Sequence, residues 1–169
     1  MPIDIDKNCR FCGHPLQVSF CDLGTSPLSN SFLSKEQLGK PEPLFPLHAK
    51  VCSNCFLVQV PMFERPENIF TEYAYFSSYS NSWLDHAKKY TNEMIERFHF
   101  GPEHFVVEIA SNDGYLLQFF KERKIPVLGI EPAENVALVA QSSAGIPTLI
   151  QFFGLRLAAE MASTTRKAD

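Results

Sequence analysis

The stretch Val106-Val107-Glu108-Ile109-Ala110-Ser111-Asn112-Asp113-Gly114-Tyr115-Leu116 reads VVEIASNDGYL. An apolar run gives way to small and polar residues, a glycine and a second apolar run. That is the outline of a strand, a tight turn and a helix start. Ala110 and Asn112 stand where a nucleotide-binding loop usually carries glycines, and only Gly114 remains. A strand end meeting a helix start still offers free backbone N–H groups and a positive helix end, which suit an anionic or carboxylate-bearing ligand. Glu108, at the carboxyl end of the strand, can orient the loop or accept from a ligand amine. Asn112 and Asp113 can cap the helix, and Gly114 permits close backbone approach.

Downstream, the pattern predicts strands over 105–109, 127–130 and 146–150. Helices are expected over 115–123, 135–142 and 155–161. Strands alternating with short helices mean βαβ units and a parallel sheet, so the fold class is α/β. Upstream, Ser82 and Asp85 read as a capping box. Leu84, Ala87, Thr91, Met94, Ile95 and Phe98 then share one helical face, and Gly101-Pro102 closes that helix.

The second strand ends in Val127-Leu128-Gly129-Ile130-Glu131-Pro132. An acidic residue there, about 20 residues after the loop, is where a doubly wound fold grips ribose hydroxyls. Glu131 fits that role. A dinucleotide would want more glycines and a phosphate nest. A loop rich in Asn and Asp suits a cofactor that lacks phosphates and bears a cationic centre, namely S-adenosylmethionine. The plain alternative is a parallel sheet with polar residues at its rim.

The amino-terminal part differs. Cys9-Arg10-Phe11-Cys12 and Cys52-Ser53-Asn54-Cys55 are two C-x-x-C pairs. Each can present two thiolates from a tight turn, and together they complete the closed tetrahedral set of structural Zn²⁺. With four sulfurs no coordination position stays open, so the metal is structural. Gly13 suits a turn that needs positive φ. Redox chemistry or unlinked cysteines are the competing readings. Cys21, beside an apolar run, is expected to be a small buried side chain, while His14 and His48 read as surface residues. Short strands are expected over 16–20 and 56–60, and Pro41, Pro43 and Pro46 exclude a long helix between them.

Three segments result: a zinc-binding module over 1–61, an aromatic connecting segment over 62–81, and a Rossmann-like domain over 82–169. A length of 169 residues suits one domain or two small modules. A net charge of −4 argues against nucleic acid as the main partner, because phosphate binding favours a basic surface. No apolar run approaches the roughly 20 residues of a membrane span, and the polar start is no signal peptide. The expected compartment is the cytoplasm, where thiols stay reduced.

The order of motifs resembles a family. C-x-x-C is followed by LGTSPLSNSF (23–32), the second C-x-x-C, EYAYFSSYS (72–80), VVEIASNDGYLL and GIEPA (129–133). This is similar to the zinc-containing, S-adenosylmethionine-dependent sugar C-methyltransferases, which methylate a ring carbon of nucleotide-linked deoxysugars. The resemblance implies that Cys9, Cys12, Cys52 and Cys55 hold zinc. It implies that Glu108, Ala110, Asn112, Asp113, Gly114 and Glu131 form the cofactor site, and that Tyr75 serves the sugar pocket as a catalytic residue. Apart from the resemblance, Tyr73, Tyr75 and Tyr79 read as aromatic packing.

In that family a fourth strand, a Tyr-x-Glu-His base motif and a further domain follow the third βα unit. Lys167-Ala168-Asp169 stands where the fourth strand is expected to begin. The expectation is a truncated class I methyltransferase sheet whose first strand is left as an apolar edge, with little activity alone unless a partner chain supplies the missing half. The alternative is a zinc-ribbon module that binds protein or nucleic acid without catalysis.

Overall fold

The computed structural model describes residues 7–164 and 167–169. The chain divides between Ile69 and Phe70 into two compact units.

The first unit is an antiparallel sheet in the order β1-β2-β3, with β1 Val18–Ser26, β2 Phe45–Val51 and β3 Val58–Gln59. β1 starts two residues later than its apolar run predicts and extends well past it. β2 is hidden in the sequence because Pro46 lies within it. β3 covers only Lys50 and Val51, so Pro46 sits where β2 has a single neighbour and a missing N–H is tolerated. The β1–β2 register shifts between Ser19 and Cys21 and again between Asp22 and Thr25. β1 is exposed from Val18 to Thr25. Cys21 is therefore exposed, not buried as expected. The buried cluster of this unit is Cys9, Leu16 and Cys52, with Cys55 half-buried against it.

The second unit is a parallel sheet in the order β4-β5-β6: Val106–Ile109, Val127–Ile130 and Thr148–Leu149. β4 and β5 pair in register from Val106↔Val127 to Ile109↔Ile130. The architecture is thus mixed α/β, an antiparallel sheet with a cysteine cluster followed by a parallel one. Among the described residues the α-helices are α1 Pro66–Phe70, which spans the boundary between the units, and α2 Asn81–Phe98, α3 Leu117–Glu122, α4 Glu134–Ser143 and α5 Leu155–Thr164 of the second. Leu117, Phe120, Ile125, Val127, Ala140 and Ile146 form the core. Each of the larger side chains contributes about 1.5–3 kcal/mol when fully buried, the Ala140 methyl less.

Two helix starts differ from the sequence reading. Ser80, not Ser82, caps α2, its hydroxyl accepting from the Trp83 N–H. The helix therefore begins before the expected capping box. α3 has Leu116 at its cap and no side-chain capping bond, because Asn112 and Asp113 are engaged elsewhere. α2 ends at Phe98 through His99 in the left-handed conformation, ahead of Gly101.

Among the described residues β4 lies at the margin of its sheet. Asp169 meets its start: the Asp169 N–H donates to the Phe105 carbonyl at 3.1 Å, and its carboxylate accepts from the Phe105 N–H at 2.9 Å. Val106 and Glu108 face a groove of about 400 Å³ lined by Tyr90, Met94, Phe98 and Phe100. Val107 and Ile109 face another of about 300 Å³ beside Phe153, Ala158 and Met161. Among the described residues, no helix is long and apolar enough to cross a membrane.

Candidate functional site

The four sulfurs of Cys9, Cys12, Cys52 and Cys55 lie within 4.8 Å of one another. Cys9 and Cys55 are 3.6 Å apart, Cys12 and Cys52 3.5 Å. Tetrahedral zinc with bonds of about 2.3 Å would hold its sulfurs roughly 3.8 Å apart, so the set fits the ion with little adjustment. Each pair sits on a turn of the same wiring. The Cys9 N–H donates to the His14 carbonyl and the Gly13 N–H to the Cys9 carbonyl, at 2.7 and 2.8 Å. The Cys52 N–H donates to Leu57 and the Phe56 N–H to Cys52, at 3.0 and 2.9 Å. Gly13 and Phe56, at matching places, both have positive φ, 74° and 62°. No histidine joins the cluster among the described residues.

Gln59 completes the surroundings. Its amide N–H donates to the Cys9 sulfur at 3.2 Å, and its carbonyl accepts from the Arg10 backbone N–H at 3.1 Å and from Arg10 Nε at 3.3 Å. The two donors on the oxygen fix which way the amide points. The Cys9 thiol is pulled down to about 6, first by the Cys12 backbone N–H, with Gln59 assisting. Cys55 is pushed up to about 12. The Leu57 backbone bond opposes that rise and is outweighed by loss of water and by the neighbouring sulfurs. Four thiols this close cannot all ionise without a cation among them.

The second cluster lies at the carboxyl edge of the parallel sheet. The loop after β4 turns sharply, with positive φ at Ala110, Asn112 and Gly114 (59°, 50° and 79°). It is tied to β5 by the Ala110 and Ser111 N–H groups, both donating to the Ile130 carbonyl. Glu131 is buried. Its Oε2 accepts from the Asn112 N–H and its Oε1 from the Ala133 N–H, each at 2.9 Å. Glu131 therefore braces both loops, and each oxygen keeps one lone pair free. A Cβ on Gly114 would lie 3.0 Å from Ile146 Cγ1, so the close approach there is to the protein's own core.

Glu108, Asp113 and Glu131 form an acidic group. Burial first, then Asp113 and Glu131, push the Glu108 carboxyl up to about 8. Glu108 Oε2, Asp113 Oδ1 and Ser111 Oγ are buried without a hydrogen-bond partner. The Tyr115 phenol is shifted upward by burial, then by Glu108, Asp113 and Tyr75. The aromatic segment before α2 packs onto this loop. Asn112 Oδ1 accepts from the Ser77 N–H at 2.9 Å, its Nδ2 donates to the Tyr75 carbonyl at 3.0 Å, and Asp113 Oδ2 accepts from the Ser78 N–H at 3.0 Å. Tyr75 and Tyr79 remain 52% and 93% exposed.

The family described as “Putative zinc binding domain” matches residues 9–70. The C-methyltransferase NovU of Streptomyces niveus is 33% identical over 162 residues, 96% of this chain. The chain is thus similar to a zinc-binding domain over its amino-terminal part and to a C-methyltransferase over nearly all of its length. It spans 38% of that relative's length.

The zinc-binding match begins at Cys9, the first sulfur of the cluster, and includes Gln59. Sequence reasoning missed Gln59, Ser77, Ser78, Tyr115 and Asn135. Gln59 carried a usable signal, a lone polar side chain closely following the second C-x-x-C in an apolar run. Tyr115 directly follows the loop glycine. The others act through backbone contacts distant in sequence and leave no periodic trace.

Proposed function

We propose that this chain is part of an S-adenosylmethionine-dependent C-methyltransferase acting on nucleotide-linked deoxysugars. Residues 1–61 form its structural zinc module, 62–81 an aromatic connection and 82–169 the cofactor-binding portion. The supporting observation is the acidic group at the carboxyl edge of β4 and β5, with buried, unpartnered oxygens on Glu108 and Asp113. When bound, S-adenosylmethionine supplies a methyl group on a cationic sulfur. Carboxylates in a low-dielectric recess favour a cation and are themselves poor ligands for a phosphate. Asp113 and Glu108 would face that positive centre or its amine. Glu131, through its free lone pairs, would accept from ribose hydroxyls. Ala110, Asn112 and Gly114 shape the loop that brings these groups together.

Tyr75 presents its exposed phenol to the substrate side, where it can bond a sugar hydroxyl or pass a proton. Zinc takes no part in the chemistry, since its four ligands are protein sulfurs. A cytoplasmic setting, where thiols stay reduced, agrees with four cysteines held as zinc ligands and Cys21 left as a thiol.

Calorimetric titration with S-adenosylhomocysteine tests the cofactor reading. Saturable binding that Glu108→Gln and Asp113→Asn each weaken at least tenfold is expected. Absence of binding, or binding indifferent to both changes, overturns it.

A further inference from the structure

Resting on the proposed assignment of Tyr75 to the sugar side, the geometry points to Asn112 and Asn135 as paired positioning residues. They set the segment carrying that tyrosine before any ligand arrives. Asn135 lies in the first turn of α4, after β5, and Asn112 in the loop after β4. Both therefore stand at the same edge of the sheet. Asn135 Oδ1 accepts from the Tyr73 N–H at 3.0 Å, and its Nδ2 donates to the Tyr73 carbonyl at 2.7 Å. Asn112 takes the Tyr75 carbonyl and the Ser77 N–H in the same fashion. Each amide thus satisfies one backbone donor and one acceptor, as a neighbouring strand would. Tyr75 is held through its own carbonyl by Asn112, two residues after the Tyr73 clamp.

Flipping either amide would set an NH₂ group against an N–H, so the orientation of each is fixed by its partners. Asn112 has both polar atoms engaged with this strap, and these bonds assign it the role of holding the strap. Asp113 divides its oxygens: Oδ2 holds Ser78, while Oδ1 stays unpartnered and buried. One carboxylate thus links the strap to the acidic recess. A ligand that draws on Asp113 Oδ1 stiffens the loop and the strap together, which is a coupling between the cofactor and sugar sides. Tyr75, without these clamps, would pay a larger ordering cost on sugar binding.

The test uses the whole 169-residue chain with 3-fluorotyrosine incorporated, the Tyr75 resonance being assigned through Tyr75→Phe. Hydrogen exchange at residues 73–78 is measured in parallel. Asn135→Ala, distant from the acidic recess, is expected to raise exchange at these amides at least tenfold. It should broaden or shift the Tyr75 line and weaken the response to a thymidine-diphosphate-linked 4-keto-6-deoxy sugar tenfold or more. Binding of S-adenosylhomocysteine should change less than twofold. Unchanged exchange and an unchanged Tyr75 line in Asn135→Ala, or equal weakening of both ligands, overturn the clamp. An unaltered chain whose Tyr75 line ignores the sugar refutes the assignment of Tyr75, while exchange at 73–78 still judges the clamp separately.

Discussion

The two units of this chain solve the same problem with opposite means. In the first, the buried cluster is two cysteines and a leucine, and the strands beside it are open to water. In the second, six buried apolar residues from α3, β5, α4 and the loops beside them form one cluster. An apolar core distributes stability over many contacts and survives small changes. A cluster of sulfurs concentrates it at one point, where removal of a single component is catastrophic. The comparison teaches where each unit can tolerate change. In the first, the constraint falls on the turns and on the two buried residues beside them, Leu16 and Gln59. In the second, the constraint falls on close contacts between loop and core.

Metal removal gives the largest expected effect. Zinc bound by such a set contributes on the order of 10 kcal/mol to folding, far above what Leu16 can offer. Hydrogen exchange in the presence of a chelator should show amides of β1, β2 and β3 losing protection while those of β5 keep it. If β5 exchanges as fast as β2 after chelation, the contrast between a metal-held and a core-held unit is wrong.

Next comes a matched pair of glycines. Gly114 and Gly39 have nearly the same φ, +79° and +81°, but a Cβ on Gly39 would meet nothing within 4 Å. At Gly114 it would press on Ile146 and Ala140. Gly39→Ala should cost about 1 kcal/mol, the conformational term alone. Gly114→Ala should cost about 2–4 kcal/mol, because overpacking adds to it. Denaturant midpoints of the two variants measure the difference, and equal losses would mean the loop yields.

Glu108 sharpens the comparison within the second unit, where function opposes stability. Its carboxyl is raised from 4.5 to about 8, so the folded state holds the proton more tightly than the unfolded one. The associated stability is fully present below about 4.5 and is lost as pH rises towards 8. Glu108→Gln keeps the shape and removes the charge. It should leave the melting temperature unchanged near pH 4.5 and stabilise the chain by about 2–4 kcal/mol at pH 8.5. The same variant should lose the binding of a cationic cofactor. Melting curves across that range, with a pH slope identical in both proteins, would show that Glu108 is not a buried, strained acid.

Much of this was legible in advance, for identifiable reasons. The strand 127–130 was legible because its apolar run is bounded by Pro126 and Pro132, and β5 occupies those residues. The sulfur cluster was legible because C-x-x-C spacing dictates a turn whatever surrounds it. β2 was not, since Pro46 argues against a strand unless one knows that β3 is too short to reach it. The strap was not, because amide-to-backbone bonds such as Asn135 to Tyr73 join residues far apart in the chain and follow no period. Gly114 is legible as a position of close approach, but that Ile146 is what approaches is not.

The smallest predicted effect lies inside the first unit, where its two turns differ at one place. Gly13 adopts positive φ without strain, whereas Phe56 does so with a side chain that is 76% exposed. The left-handed conformation costs a residue with a Cβ about 1–2 kcal/mol, and little burial repays it here. Glycine also loses more freedom on folding, which returns roughly 0.5–1 kcal/mol to the other side. Phe56→Gly should therefore stabilise the metal-loaded unit by up to about 1 kcal/mol, read as slower zinc release to a chelator. The reverse change, Gly13→Phe, should speed release by a similar factor. If Phe56→Gly hastens release, the phenyl ring shields the sulfurs in a way its exposure conceals, and the two turns are not equivalent.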